Sequence, residues 1–281
     1  SVHRAGSRFS ATRPLSMLRC AVCPICSGSI FPMTFWTRQP FASAKPPWAR
    51  LQAAFTGSIP KQWSIPVVWL KLMPIFSGGE GGAILRGDAA SLEATGAGWQ
   101  VKAQEGHVQA REAVVALGPQ SGVIFRKLGY PIPLGIKRGH HLHFNMKDGV
   151  RLGHTVVDEE AGYVLAPMVQ GVRLSTGIEF ASPSAPANRI QLKRAEEIAR
   201  RLVPQLGQPV EEKPWLGLRP CLPDMRPVIG EAPRHKGLWF NFGHAHHGLT
   251  LGPASGRLLA EMMTGAEPFT DPTPYSAERF S

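Results

Sequence analysis

The run Ala113-Val114-Val115-Ala116-Leu117, closed by Gly118-Pro119, constrains this chain more than any other stretch. Apolar residues without polar alternation suit a strand covered on both faces, as in a parallel sheet, and not a strand with one wet side. Such a strand needs a layer above and a layer below, which points to α/β architecture. The glycine that follows lets backbone approach a ligand closely.

A further strand is expected over 238–242, followed by a loop or helix start over 243–250 and a helix over 251–264. Leu258, Leu259 and Met262 mark that helix's apolar side, and Gly265 its cap. Short strands are expected over 99–103 and 107–110, with a short apolar element over 83–88. Residues 134–180 alternate in the manner of antiparallel sheet, with a hairpin turn at Gln170-Gly171. Residues 191–203 form an amphipathic helix: Leu192, Ala195, Ile198, Ala199 and Leu202 share a face, and Glu196 and Arg200 are spaced i, i+4.

The formal net charge of +11 is unevenly spread. Residues 1–83 carry nine Lys/Arg and the single acid Glu80, whereas the remainder carries 22 Lys/Arg against 19 acids. The basic excess is confined to one atypical segment, so it gives no general signal for nucleic acid. That segment reads either as a poorly ordered arm or as a stretch outside the gene's natural frame. Its first 30 residues are rich in Arg and Ser and free of acids, as organellar transit peptides are. Cys20, Cys23 and Cys26 have a spacing that can gather thiolates round a metal. A fourth ligand near in sequence is missing, and they read as unpaired thiols, with no metal expected. No apolar run of about 18 residues is present, so no membrane span is expected.

The chemistry concentrates in the last third. Arg219, in Trp215-Leu-Gly-Leu-Arg219-Pro220, offers a guanidinium that can hold a carboxylate by two parallel hydrogen bonds. The alternative is a structural arginine paired with Asp224 or another acid. Gly243, Gly248 and Gly252 surround His244, His246 and His247. A glycine-rich turn opening a helix exposes unpaired N–H groups and the positive end of the helix dipole. The three histidines also invite a metal reading, but adjacent histidines rarely converge on one ion at a helix start. His141 and His143 share one face of a strand.

Gly217-Leu-Arg219-Pro220, Asp224, Pro227-Val-Ile-Gly230, the strand to Gly243, Gly248-Leu-Thr250, Ser255-Gly256, Leu259-Ala260 and Gly265 together resemble the FAD-dependent D-amino-acid oxidase/dehydrogenase superfamily. The bacterial D-amino-acid dehydrogenase branch is most similar, including the ending Pro-Tyr275-Ser-Ala-Glu-Arg279-Phe280. Ala113 to Ser121 resembles that family's strand and turn of the type VVxAxGxxS. The resemblance covers about residues 84–281. The family's opening G-x-G-x-x-G is absent; Gly78-Gly-Glu-Gly-Gly82 has the wrong spacing. Gln120 and Leu249 stand where tryptophan is common.

The resemblance implies an α/β (α+β) chain: a partial FAD-binding Rossmann-like domain with an inserted antiparallel-sheet substrate domain. Its boundaries would be 84–131 and 214–281 for the FAD-binding parts and 132–213 for the substrate domain, with 1–83 apart. It implies that Arg219 holds the substrate carboxylate, with Tyr163 and Thr250 as further substrate contacts. Ala116, Leu117, Gly118, Gly243, His244, Gly248, Leu249 and Thr250 would line the FAD. The expected reaction is oxidation of a D-amino acid's C–N bond by hydride transfer to the flavin, which needs no side-chain base. A glycine, sarcosine or proline oxidase-like enzyme and a non-catalytic truncated remnant are the alternatives. An amino-acid substrate, a quinone or oxygen as electron acceptor, and a cytoplasmic location, peripheral at the inner membrane, complete the expectation.

Overall fold

The computed structural model describes residues 31–35 and 83–281. The three-cysteine spacing and the reading of the acid-poor segment as an arm or an off-frame stretch lie outside the described residues, apart from one strand. That strand, β1 (Phe31–Phe35), pairs antiparallel with β2 (Ala83–Thr95). β3 (Gly98–Ala103) and β4 (Gly106–Ala110) complete a four-stranded sheet. β2 runs well past Asp88, where the sequence suggested a short element. The Asp88 carboxylate accepts the Ala90 N–H at 2.9 Å, and the Ser91 hydroxyl donates to the Asp88 carbonyl at 2.6 Å. The register with β3 shifts between Asp88 and Glu93. The turn chemistry is thus absorbed as an irregularity within the strand and does not end it.

β5 (Ala113–Val115) follows, then a 3-10 turn at Gly118–Gln120 and α1 (Ser121–Lys127). α1 is not legible in the sequence, because a helix of 7 residues is too short to establish a 3.6-residue period.

The second sheet is antiparallel and centred on β6 (Gly135–Met146). On one side lie β9 (Gly171–Thr176), β8 (Tyr163–Met168) and β7 (Val156–Asp158). On the other side, β10 (Leu206–Pro209) and β11 (Trp215–Cys221) each pair with part of β6. Alternation along β6 sorts its side chains. Leu142 and Phe144 join Tyr163, Leu165, Val172 and Leu174 in a core closed by Leu192, Ala195 and Ala199 of α2 (Ile190–Leu202). The side chains at 137, 141 and 143, with Gly139 between them, fall on the other face.

The third sheet orders β12 (Val228–Glu231), β13 (Leu238–Phe242) and β5. β13 runs parallel to β5 and antiparallel to β12. One face packs through Val114, Ile229 and Trp239 on Leu258, Leu259 and Met263 of α3 (Gly248–Thr264). The other packs through Val115, Phe240 and Phe242 on Trp99 and Val101 of the first sheet and on Ile124 and Phe125 of α1. β5 is therefore covered on both faces, as its uninterrupted apolar run predicts. α3 begins within the stretch expected to be a loop or helix start, with Leu251 N–H donating to the His247 carbonyl at 2.8 Å.

Candidate functional site

The parallel pair sets the site. Leu238 is in register with Ala113 and Phe240 with Val115, so both strands leave the sheet at the same end. The chain exits there through two glycines in the left-handed region, Gly118 at φ 55 and Gly243 at φ 87. The crevice outside the carboxyl ends of parallel strands is where open α/β sheets take ligands. A Cβ on Gly118 would meet nothing within 4 Å, so its backbone faces open space. From Gly243 the loop runs to Gly248, where α3 starts with an exposed first turn and its orphan N–H groups. Gln120 Oε1, in the turn after β5, and Asn241 Oδ1, near the end of β13, are buried without a hydrogen-bond partner.

β11 brings Arg219 to the same place. The Ala245 N–H donates to the Pro220 carbonyl at 2.8 Å, tying the glycine loop to the residue beside Arg219. β11 also packs against the turn at Gly118–Gln120. The Arg219 side chain folds back across β6 and lies on Gly139, where any Cβ would overlap the guanidinium. Its Nη1 donates to the Gly177 carbonyl at 3.1 Å and its Nη2 to the Thr176 carbonyl at 3.4 Å. Two carbonyls cannot neutralise the charge, and burial lowers the guanidinium's pKa. Asp224 is already taken: its Oδ2 receives Arg279 Nε at 2.9 Å. Burial would raise the Asp224 carboxyl, but the Arg279 guanidinium and the Arg226 N–H hold it below its usual value. Among the described residues no carboxylate pairs with Arg219.

The histidines behave differently from one another. The His246 pKa is lowered by burial and then by His247, Arg219 and Lys137, which places the ring within electrostatic reach of Arg219. His244 is held at about 4 by burial alone. Its Nε2 lies 2.9 Å from Ser255 Oγ, which in turn donates to the Leu251 carbonyl at 2.9 Å. The serine proton is committed to that carbonyl, so Nε2 carries the hydrogen and Nδ1 is left as an acceptor. Among the described residues no three His, Cys, Asp or Glu side chains gather to hold a metal ion.

Of the residues singled out in the sequence, Arg219, Gly118, Gly243 and His244 converge at the ends of β5, β11 and β13. Gly248, Leu249 and Thr250 form the exposed first turn of α3. Ala116 and Leu117 point into the two cores on either side of the sheet, leaving only their backbone for a ligand. Tyr163 is not brought to the others. It is 1% exposed in the core beneath α2, on the face of the sheet opposite Arg219. The reason is register: Tyr163 pairs with Thr176 and Thr176 neighbours His140, all on the helix-facing side.

The sequence did not show that Gly139 would lie under the Arg219 guanidinium, or that Trp215, His141 and Arg173 would share that face of the sheet. The alternation Lys137, Gly139, His141, His143 carried a signal for a shared polar face, but nothing local showed which strand would lie across it.

Residues 79–262 match the family described as FAD dependent oxidoreductase. The glycine oxidase of Pseudomonas putida is 33% identical over 63% of this chain and 48% of its own length. The D-amino-acid oxidase of Bradyrhizobium diazoefficiens is 31% identical over 71% of this chain and 48% of its own length. The crystal structure of glycine oxidase from Geobacillus kaustophilus aligns with a TM-score of 0.62 at 24% identity, covering 72% of this chain and 55% of that one. The chain spans about half the length of the curated relatives it matches. On the strength of the matched span and of the fold it shares, the chain belongs to the FAD-dependent oxidoreductase family of the D-amino-acid oxidase type.

Proposed function

We propose that this chain oxidises the C–N bond of an amino acid, of the D configuration, to an imine that water then converts to a keto acid and ammonia. The observation that carries the reading is the bond from Ala245 N–H to the Pro220 carbonyl. It locks the residue after a desolvated, carboxylate-free arginine to a glycine loop that opens a helix. A substrate carboxylate would exchange for the Thr176 and Gly177 carbonyls on Arg219, gaining a charge-assisted, two-point contact that fixes the α-carbon.

FAD fits the residues present. Gly118 leaves open space beside its backbone, and Gln120 Oε1 and Asn241 Oδ1 await polar partners. Gly118, Gly243, His244 and the first turn of α3 at Gly248, Leu249 and Thr250 would hold it, with the N–H groups of that turn favouring negative charge. When bound, the flavin supplies the hydride-accepting chemistry. His244, neutral through burial, would offer Nδ1 only as an acceptor. The protein's part is to bind, orient and exclude water; no side chain has to remove the α-proton.

A glycine oxidase-like activity is the second reading, favoured by the 33% identity to the Pseudomonas putida glycine oxidase. To test both, the purified chain is incubated with FAD, gel-filtered and scanned in the visible range, then mixed with a redox dye and D-alanine, glycine or sarcosine. Retained flavin with dye reduction by D-alanine supports the first reading, and preference for glycine or sarcosine the second. A chain that emerges colourless and inert refutes both.

A further inference from the structure

The face of the second sheet that carries Arg219 carries a second arginine, Arg173, that forms no close ion pair among the described residues. Arg173 is in register with His143 and so lies on the same face as Gly139 and the Arg219 guanidinium. Its Nη2 reaches only the thioether of Met168, at 3.2 Å, which is a weak acceptor. Its Nε is buried with no hydrogen-bond partner. Burial lowers its pKa, and attraction by Glu211 only partly offsets this. The nearest acid is spoken for: Glu211 accepts the His143 backbone N–H at 2.9 Å and the His143 ring. A partly buried guanidinium whose Nε has no hydrogen-bond partner, and whose neighbouring carboxylate is bonded to His143, has unused capacity for an anionic ligand.

Between the two arginines lies a flat aromatic step. Trp215 folds over Gly217, which any Cβ would block, and stacks on His141 with ring centroids 4.7 Å apart and planes 25° apart. Trp215 is 58% exposed, so its outer side is open to a ligand. Gly139 and His143 are four residues apart on β6, a span of about 13 Å.

We propose that Arg173, with the Trp215–His141 stack beside it, is a subsite for a second carboxylate on the substrate. The substrate class is then amino acids that carry an additional acidic group, on the side chain or on a nitrogen substituent. The chain between the two carboxylates lies along Trp215. This rests on the reading of Arg219 as the clamp for the first carboxylate.

The test needs no flavin. Succinate, glutarate and adipate, and the monocarboxylates of the same carbon number, are titrated calorimetrically into the full chain and into Arg173→Gln, Arg173→Lys and Arg219→Met. At least one dicarboxylate is expected to bind roughly tenfold tighter than its matched monocarboxylate. Arg173→Gln should erase that advantage and leave the monocarboxylate unchanged, while Arg173→Lys keeps most of it. Arg219→Met should weaken both ligands. Equal binding of every matched pair by the unaltered chain, or no binding at all, overturns the subsite. Monocarboxylate binding that survives Arg219→Met overturns instead the clamp on which the subsite rests.

Discussion

The Arg219 guanidinium rests on Gly139, in space that any side chain at 139 would fill. The two residues are far apart in sequence, and the fit depends on β11 pairing β6 with Gly217 opposite Gly139. Gly139 is not in the left-handed region, so its backbone accepts other residues. Alanine there would stabilise the fold slightly through a stiffer unfolded chain, by about 0.4–1 kcal/mol. It would also push the guanidinium off the Gly177 carbonyl. Gly139→Ala is therefore expected to weaken carboxylate binding roughly tenfold while the melting temperature holds. Calorimetric titration with butyrate, beside a thermal melt, checks both halves.

Arg138 is the neighbour of Gly139 that points the other way, and it is fully buried. Its Nε faces Glu179 Oε2 at 3.1 Å, and its Nη groups donate to the carbonyls of Ser182, Ala185 and Pro186 at 2.8, 2.6 and 2.9 Å. One side chain thus organises the loop after β9. Arg138→Met would strand a carboxylate and three carbonyls, and the expected loss is about 3–5 kcal/mol in chemical denaturation. Limited proteolysis should cut first within 182–189. Unchanged stability in this variant would show that the loop is held by other contacts.

The architecture was legible where composition alone dictates burial. The run at 113–117 announced a strand covered on both faces, and the amphipathic stripe of Leu192, Ala195 and Ala199 announced α2. What escaped was set by long-range register. Tyr163 reads equally well on either face of a strand, and only its pairing with Thr176 sends it under α2 and away from Arg219. Asp88 looked like a strand end because its turn chemistry is local, whereas continued pairing of β2 with β3 is not. The contact of Arg219 with Gly139 and the open face shared with Arg173 exist only once three strands are side by side. Gly118 and Gly243 both adopt the left-handed region, a conformation that glycine reaches without steric cost wherever the chain requires it.

Burial of His244 makes stability depend on acidity. Its folded pKa is about 4, against 6.5 for the exposed group. Below pH 6.5 the unfolded chain binds a proton that the native one refuses, so stability is complete above that value and declines as pH falls toward 4. The expected loss is on the order of 2 kcal/mol, since the site is not fully closed. His244→Gln, which keeps a donor for Ser255, should flatten the profile. Urea unfolding at intervals from pH 7 to about 4 measures it. Parallel slopes for the two proteins would remove His244 as the cause. His141, also held at about 4 by burial and then by Arg173, leaves a residual slope in both.

Gly118 and Gly243 separate a conformational requirement from a spatial one. Both have positive φ, so alanine at either pays a backbone cost of about 1–2 kcal/mol. At Gly243 the added Cβ would also sit 2.7 Å from Leu222 Cδ1, inside the packed loop. At Gly118 it would meet no protein atom within 4 Å. Gly243→Ala should therefore lower the melting temperature more than Gly118→Ala does, with or without ligand. If the space beside Gly118 is where the cofactor's backbone contacts are made, Gly118→Ala should lose more FAD affinity than its small stability loss explains. Asparagine, which tolerates the left-handed region, should restore stability at 118 without restoring binding, because its side chain still fills the gap. Equilibrium dialysis against FAD, run beside thermal melts of the three variants, makes the comparison. Equal affinity in Gly118→Asn and the unaltered chain would place the cofactor elsewhere on the chain.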